Sequence, residues 1–220
     1  MTIALAAMVR HPYSGTVKTR LSPRLPAAAR ARLYHAFVAD KLEQLRTLRG
    51  AIPWLVYTPP NEEPWFRELA GPGVRLVAQC EGTLGERVAG AFSALFAQHA
   101  GVILVDSDTP NLPANYLQAA VDAIARAAPL VIGPADDGGF YLVGLSRPEP
   151  RLFDAIEWSS TRTRALTLAA ATRLGLPVQL LPPWYDVDRP EDLVRLERDL
   201  ARDAGAAAPH SWAALAQRTA

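Results

Sequence analysis

The chain has 220 residues, of which 50% are hydrophobic and 20% charged, enough apolar material for the core of one α/β domain. Lys and Arg number 23 against 22 Asp and Glu, a formal charge of +1, and that balance argues against a nucleic-acid-binding surface as the main purpose. The one cysteine, Cys80, excludes an internal disulfide and a thiolate metal cluster and fits a reducing cytoplasm.

Met1 to Val9 is apolar, with no basic segment before it and Arg10-His11-Pro12 after it. It is too short to span a bilayer and predicts a first strand from Thr2, not a signal peptide. No later stretch approaches a membrane span, so a cytoplasmic location is expected. A loop from Arg10 to Pro23 leads to a long helix over Pro26 to Arg49. Tyr34, Val38, Leu42 and Leu45 recur there at helical spacing on one face, and Gly50 closes it. Ile52 to Thr58 predicts a second strand, stopped by Pro59-Pro60; Glu63 to Ala70 predicts a short helix, and Val74 to Ala78 a third strand. Thr83-Leu84-Gly85-Glu86 has the form of a capping box and opens a helix to about His99.

Gly101 to Val105 is the central strand, a fully apolar run that stops at Asp106-Ser107-Asp108-Thr109-Pro110. In an open α/β sheet, ligands bind at the carboxyl ends of the strands. Two hard oxygen ligands there suit Mg²⁺ or Mn²⁺ bridging to substrate phosphates, or else one Asp caps the helix that follows. That helix is predicted over Pro113 to Ala127, then strands over Leu130 to Gly133 and Phe140 to Leu145. The gap between these two strands is too short for a crossover helix, so the second is expected to run antiparallel. A helix over Arg162 to Leu174, a strand over Val178 to Leu181 and a helix from Pro190 to about Arg202 complete the pattern. Alternating strands and helices give an α/β class with a mostly parallel sheet. Residues 1–203 read as one domain. The Ala-rich tail over 204–220 is expected to form a short helix around Trp212 and Leu215, docked on the core or used in a homodimer contact.

Four loops after predicted strands carry chemistry. In the first, Gly15 lets backbone N–H groups approach an anion, while Lys18 and Arg20 add fixed positive charge suited to phosphate. The Gly-Lys-Ser/Thr order of a P-loop is absent. In the second, Gln79 is placed to meet a base edge, Gly85 allows close approach at a helix start, and Arg87 meets a phosphate or pairs with Glu86. In the third, Asp137 orients or deprotonates a hydroxyl while Gly138 and Gly139 clear room for an acceptor, unless the segment is only a tight turn. In the fourth, Asp186-Val187-Asp188 brings Asp188 to the metal as a further carboxylate or caps the last helix. The scattered histidines have no zinc-site spacing, and no nucleophile elbow is present.

Read together and in order, Pro-x-x-Gly-x-Val-Lys-Thr-Arg-Leu, Leu-Gly-Glu-Arg, Ser-Asp-Thr-Pro-x-Leu-Pro, Gly-Pro-Ala-x-Asp-Gly-Gly-Phe-Tyr-Leu and Asp-Val-Asp-x-Pro-Glu-Asp-Leu resemble the DUF2064 family, from about Ile3 to Leu200. These are glycosyltransferase-A-like transferases associated with radical-SAM and selenium-domain proteins. A more distant similarity reaches phospholactate guanylyltransferases and molybdenum-cofactor nucleotidyltransferases. The resemblance implies a GT-A fold, the three-layer nucleotide-diphospho-sugar transferase sandwich, with a divalent metal at the Asp motif. Carried over by position, Gly15, Lys18 and Arg20 would face nucleotide phosphates, with Asp108 the metal aspartate, Asp188 the second carboxylate, and Asp137, Gly138 and Gly139 beside the acceptor. The family usually has a small residue where this chain has Asp106, so Asp106 either joins the metal or stays within the strand.

The resemblance favours glycosyl transfer from a nucleotide-diphospho-sugar to a small-molecule acceptor, with Asp108, Asp137 and Lys18 as the catalytic set. Two cations in the first loop suit a triphosphate and keep open the alternative of moving an NMP from an NTP to a phosphorylated acceptor. The third reading is a nucleotide-binding protein without chemistry. Nothing in the sequence chooses the base, sugar or acceptor.

Overall fold

The computed structural model describes residues 2–15, 17–22 and 24–217. Met1, Thr16 and Pro23 of the predicted first strand and loop, and residues 218–220 of the tail, lie outside the described residues. The strands are β1 (Ile3–Arg10), β2 (Ile52–Thr58), β3 (Arg75–Ala78), β4 (Gly101–Val105), β5 (Leu130–Pro134), β6 (Phe140–Leu145) and β7 (Val178–Leu180). They form one sheet in the order β3-β2-β1-β4-β6-β5-β7. All neighbours are parallel except β6, which runs antiparallel to both β4 and β5. The reason is the one visible in sequence: only Ala135–Gly139 separates β5 from β6, too little chain for a crossover.

The helices are α1 (Ala27–Thr47), α2 (Glu63–Ala70), α3 (Leu84–Phe96), α4 (Ala114–Ala125), α5 (Thr163–Arg173), α6 (Pro190–Ala201) and α7 (Pro209–Ala216). They cover both faces, which is why β1 and β4 are apolar without alternation. Ile3, Leu5, Ala7 and Val9 pack against Phe37 of α1, Leu117 of α4 and Leu193 of α6 on one face. Ala4 and Ala6 face the other side with Phe92 and Leu95 of α3 and Ala170 of α5. The result is a helix–sheet–helix sandwich, as the motifs led us to expect.

The order of the strands sets the position of the site. The chain runs outward through β1, β2 and β3, then returns to place β4 on the other side of β1. Strand order therefore reverses between β1 and β4, the point outside whose carboxyl ends open α/β sheets bind their ligands. The loops leaving those two strands carry Lys18 and Asp108.

The predicted tail helix is present as α7, and it docks against α1 with Leu215 and Ala208 buried in the α1-side core. Its N-terminus is held from a distance in sequence. Asp40, 2% exposed on α1, accepts hydrogen bonds from the backbone N–H of His210 and of Ser211, both at 2.9 Å, and from the Ser211 hydroxyl. Asp40→Ala leaves those donors without acceptors in a buried junction and is expected to cost about 2–3 kcal/mol, measured as a lower urea midpoint. Among the described residues no helix is long and apolar enough to cross a membrane.

Candidate functional site

Beyond β4 the chain makes a tight polar turn. Asp106 still belongs to the ladder through its backbone N–H, which donates to the Tyr141 carbonyl at 2.9 Å. Its side chain folds back: Oδ1 accepts from the Asp108 N–H at 3.1 Å and from the Thr109 hydroxyl at 2.7 Å. That inward commitment frees Asp108, whose side chain is 35% exposed and turned to Lys18.

Lys18 meets it there. The first loop places Lys18 in a left-handed conformation, φ 50°. Its side chain is 3% exposed, with Nζ 2.7 Å from Asp108 Oδ1 and 2.8 Å from Asp188 Oδ1. Burial opposes the charge on Lys18, but the two carboxylates outweigh it and hold the ammonium well above its ordinary pKa. Arg20 lies further out, 63% exposed, with its guanidinium 3.6 Å from Asp188 Oδ2.

The fourth loop completes the cluster. The Val187 N–H donates to the Asp108 carbonyl at 2.9 Å, which ties the two acidic segments together through the backbone. Asp188 does not cap α6. Asp192 does so by accepting from the N–H groups of Asp188 and Arg189 at 3.1 and 2.8 Å, and Asp188 is thereby left to Lys18. Burial raises the Asp188 carboxyl, but Lys18, Arg20 and Arg189 reverse this and hold it below the usual range. Asp186 is different. Burial beside the acids Asp106 and Asp108 pushes its carboxyl up to about 10. Its Oδ1 is buried with no partner. Asp108 is raised to about 6 by burial and by Asp188 and Asp106, against the pull of Lys18.

The remaining predicted residues surround this centre unequally. Gly15 is exposed at the loop tip. Gln79 is turned inward: 8% exposed, its amide donates to the Val9 and Val56 carbonyls at 3.1 and 2.8 Å and braces β1 against β2, so that amide is not offered to a base edge. Arg87 donates to the Gly82 carbonyl at 3.0 Å. The capping box predicted at Thr83 and Glu86 is present. At Gly85 the missing side chain admits Trp158, whose Cδ1 would lie 2.9 Å from a Cβ there. Asp137 accepts from the Gly139 N–H at 2.8 Å, an Asx turn that leaves the carboxylate exposed at the site's edge.

Gly138 has φ +92°, and a Cβ there would lie 2.7 Å from the Thr161 carbonyl carbon. Gly138→Ala is therefore expected to cost about 2–4 kcal/mol, read in chemical denaturation, because the neighbour it meets is backbone and cannot rotate away.

The acidic loop rests on side chains that the motifs did not single out. Tyr34, Lys41 and Gln44 of α1 line up beneath it. The Tyr34 hydroxyl hydrogen-bonds Ser107 Oγ at 2.8 Å, Lys41 Nζ reaches the Thr109 carbonyl and hydroxyl at 2.8 and 3.1 Å, and Gln44 donates to the Pro110 and Leu112 carbonyls. Burial pulls Lys41 down to about 8, against Asp106, Asp108, Asp186 and Asp40. The signal was a charge at a core position: Lys41 follows Tyr34 by two helical turns.

Among the described residues no group of three or more His, Cys, Asp or Glu side chains is arranged to hold a metal ion by itself. A Mg²⁺-type site needs less, because that ion is usually held by one or two carboxylates with water and substrate phosphates completing the shell. Asp108 and Asp188, which already share one cation, and the unpartnered buried oxygen of Asp186 are hard donors that fit such an ion. A cavity of about 570 Å³ lies elsewhere, against Gln44, Asn111, Trp184 and Asp203. Convergent charge marks this site more than concavity does.

Comparison with known proteins agrees with this architecture. A family model described as an uncharacterized protein conserved in bacteria (DUF2064) matches residues 41–160. A crystal structure of a provisionally assigned nucleotide-diphospho-sugar transferase from Desulfovibrio desulfuricans G20 is 32% identical, with a TM-score of 0.89 over 99% of this chain and 95% of that one. CMP:2-keto-3-deoxy-manno-octonic acid synthetase complexed with CTP aligns at 11% identity and TM-score 0.58, over 92% of this chain and 100% of that one. The 4-diphosphocytidyl-2C-methyl-D-erythritol synthase from Anaerococcus prevotii DSM 20548 aligns at 13% identity and TM-score 0.57, over 90% and 96%. The last two share the fold. No curated protein matches.

Proposed function

The chain belongs to the DUF2064 family, and from that premise we propose that it is a divalent-metal-dependent transferase that takes a nucleotide-diphospho-sugar as donor and passes the sugar to a small-molecule acceptor. The observation that carries this reading is the meeting of Asp108, Asp188 and Lys18 at the point where strand order reverses. Asp108 and Asp188 are the carboxylates that would hold Mg²⁺ or Mn²⁺. Such an ion, when bound, supplies charge neutralisation for the donor's diphosphate and for the departing nucleotide. Arg20, exposed beside Asp188, would meet a phosphate oxygen of the donor. Asp137, held by its Asx turn beside Gly138 and Gly139, faces the acceptor and is the candidate to orient its hydroxyl and take its proton.

The disposition of Lys18 favours sugar transfer over nucleotidyl transfer. Two free cations in the first loop would suit a triphosphate, but Lys18 is already neutralised by two carboxylates. The cation this loop leaves at the surface is Arg20, which fits the smaller charge of a diphosphate. The likeness to cytidylyltransferases, all under 25% identical, bears on the fold alone.

A thermal-denaturation panel of NTPs, NDPs and NDP-sugars, each with and without Mn²⁺, tests the proposal. A ligand that binds only the folded state raises the midpoint. Stabilisation by one NDP-sugar that requires Mn²⁺ is the expected result and names the donor. Preference for an NTP, with pyrophosphate released in the presence of a phosphorylated acceptor, replaces sugar transfer by nucleotidyl transfer. Metal-independent binding without turnover points to a protein that binds nucleotides and does no chemistry.

A further inference from the structure

Lys41 is fully buried on α1, yet its ammonium is met by a carbonyl and a hydroxyl, both of Thr109. A buried ammonium held only by neutral groups is expensive. The charges that offset it through space are Asp106, Asp108 and Asp186 of the acidic edge, with Asp40 behind. Thr109, itself fully buried, uses its hydroxyl twice: the oxygen accepts from Lys41 at 3.1 Å, and the proton is donated to Asp106 Oδ1 at 2.7 Å. Lys41 as donor fixes the hydroxyl's direction, so its one proton is aimed at Asp106. Asp106 Oδ1 is thus saturated from below by Thr109 and from within by the Asp108 N–H.

We propose that Lys41 is a positioning residue of the acidic site: through the Thr109 hydroxyl it commits Asp106 to the interior of the turn and leaves Asp108 to receive the cation. The inference rests on the reading of this edge as a divalent-metal and nucleotide site, and it assigns unequal roles to the two acids of Asp106-Ser107-Asp108. Without the relay, Asp106 Oδ1 keeps only the Asp108 N–H, and the carboxylate gains freedom to turn outward. When it turns, Asp108 loses the N–H contact that orients its backbone, and it no longer faces Asp188 across a single cation position. Tyr34 and Gln44 hold the two ends of the same loop, at Ser107 and at Pro110 and Leu112, but neither touches an acidic side chain. Of these three α1 side chains, Lys41 is the one linked by hydrogen bonds to a carboxylate, through the Thr109 hydroxyl.

The test measures binding of Mn²⁺ alone, by loss of the free-ion electron paramagnetic resonance signal, beside thermal stability for each protein. Thr109→Val removes the hydroxyl at nearly constant shape, Thr109→Ser restores it, and Lys41→Met removes the ammonium with little change in volume. Thr109→Val is expected to lower Mn²⁺ affinity at least tenfold at a temperature where it is folded, with Thr109→Ser within threefold of the wild type. Lys41→Met, if it folds, is expected to follow Thr109→Val. A structural role alone gives variants that melt earlier but bind Mn²⁺ as the wild type does while folded. That result overturns the proposal, as does tighter binding by Lys41→Met or failure of Thr109→Ser to restore affinity. Should Lys41→Met not fold, the Thr109 pair decides. Absence of Mn²⁺ binding by the wild-type protein overturns the metal reading itself and this inference with it, and is distinguishable because it appears before any substitution.

Discussion

Asp108→Asn is expected to lower the transfer rate by on the order of a thousandfold while leaving the protein folded. The side chain keeps its size and its ability to accept a hydrogen bond from Lys18, so the geometry at 2.7 Å survives in outline. What is lost is the negative charge. A carboxylate that helps hold a divalent ion against a diphosphate supplies several kcal/mol of charge stabilisation, and each 1.4 kcal/mol is a factor of ten in rate. Stability is expected to respond weakly. The Asp108 carboxyl already lies up near 6 because burial and two neighbouring acids disfavour its charge. Neutralising it removes a repulsion as well as an ion pair, and the net change is on the order of 1 kcal/mol. The pair of measurements is turnover of the donor identified by the denaturation panel and the melting midpoint of the variant. Turnover within tenfold of the wild type would remove Asp108 from the reaction. A collapse of the midpoint would make it a structural residue.

Much of this site was visible in the chain as chemistry, and little of it as geometry. The apolar run into Asp106-Ser107-Asp108 marks a buried strand with acids at its carboxyl end, and the parallel sheet turns that mark into a ligand edge. The short connection over Ala135–Gly139 dictates the antiparallel strand without any tertiary information. Lys18 was equally conspicuous, but its partners were not. A basic residue in a glycine-containing loop suggests phosphate. The left-handed backbone at Lys18 and the depth of its side chain, which decide that it meets carboxylates instead, follow from how the loop packs over Phe37 and the sheet. The sequence offers Asp188 to the start of α6, but there the N–H groups of Asp188 and Arg189 go to Asp192, while the Asp188 carboxylate goes to Lys18. Gln79 illustrates the reverse case. A polar residue after a strand suggests a ligand contact, yet β3 is short and the Gln79 N–H continues its pairing to the Tyr57 carbonyl, which carries the side chain inward. Lys41 could be found only by asking why a charge stands where the helical repeat calls for an apolar residue.

Lys18→Met is expected to make the protein less stable without divalent metal and more responsive to it. In the wild type the ammonium lies between two carboxylate oxygens at 2.7 and 2.8 Å, in a position 3% exposed from the side of the lysine. Methionine fills the channel over Phe37 but leaves Asp108 and Asp188 facing each other with no cation between them. Removing one partner from a buried ion pair costs about 3–5 kcal/mol, but both carboxylates are about one-third exposed and gain water and counter-ions. The expected loss is therefore about 1–3 kcal/mol. An ion held between Asp108 and Asp188 would compete with the ammonium in the wild type and would meet no such competitor in the variant. Saturating Mn²⁺ is accordingly expected to raise the melting midpoint of Lys18→Met by more than it raises that of the wild type. Turnover is expected to fall at least a hundredfold all the same, because Asp108 and Asp188 lose the cation that holds them in position. The thermal measurement separates two roles for Lys18. A larger Mn²⁺ shift in the variant means that ammonium and metal compete for one position between Asp108 and Asp188, so binding of the metal-loaded donor must move Lys18. Equal shifts mean that the two cations occupy different positions, and that Lys18 keeps its contacts to Asp108 and Asp188 throughout the reaction.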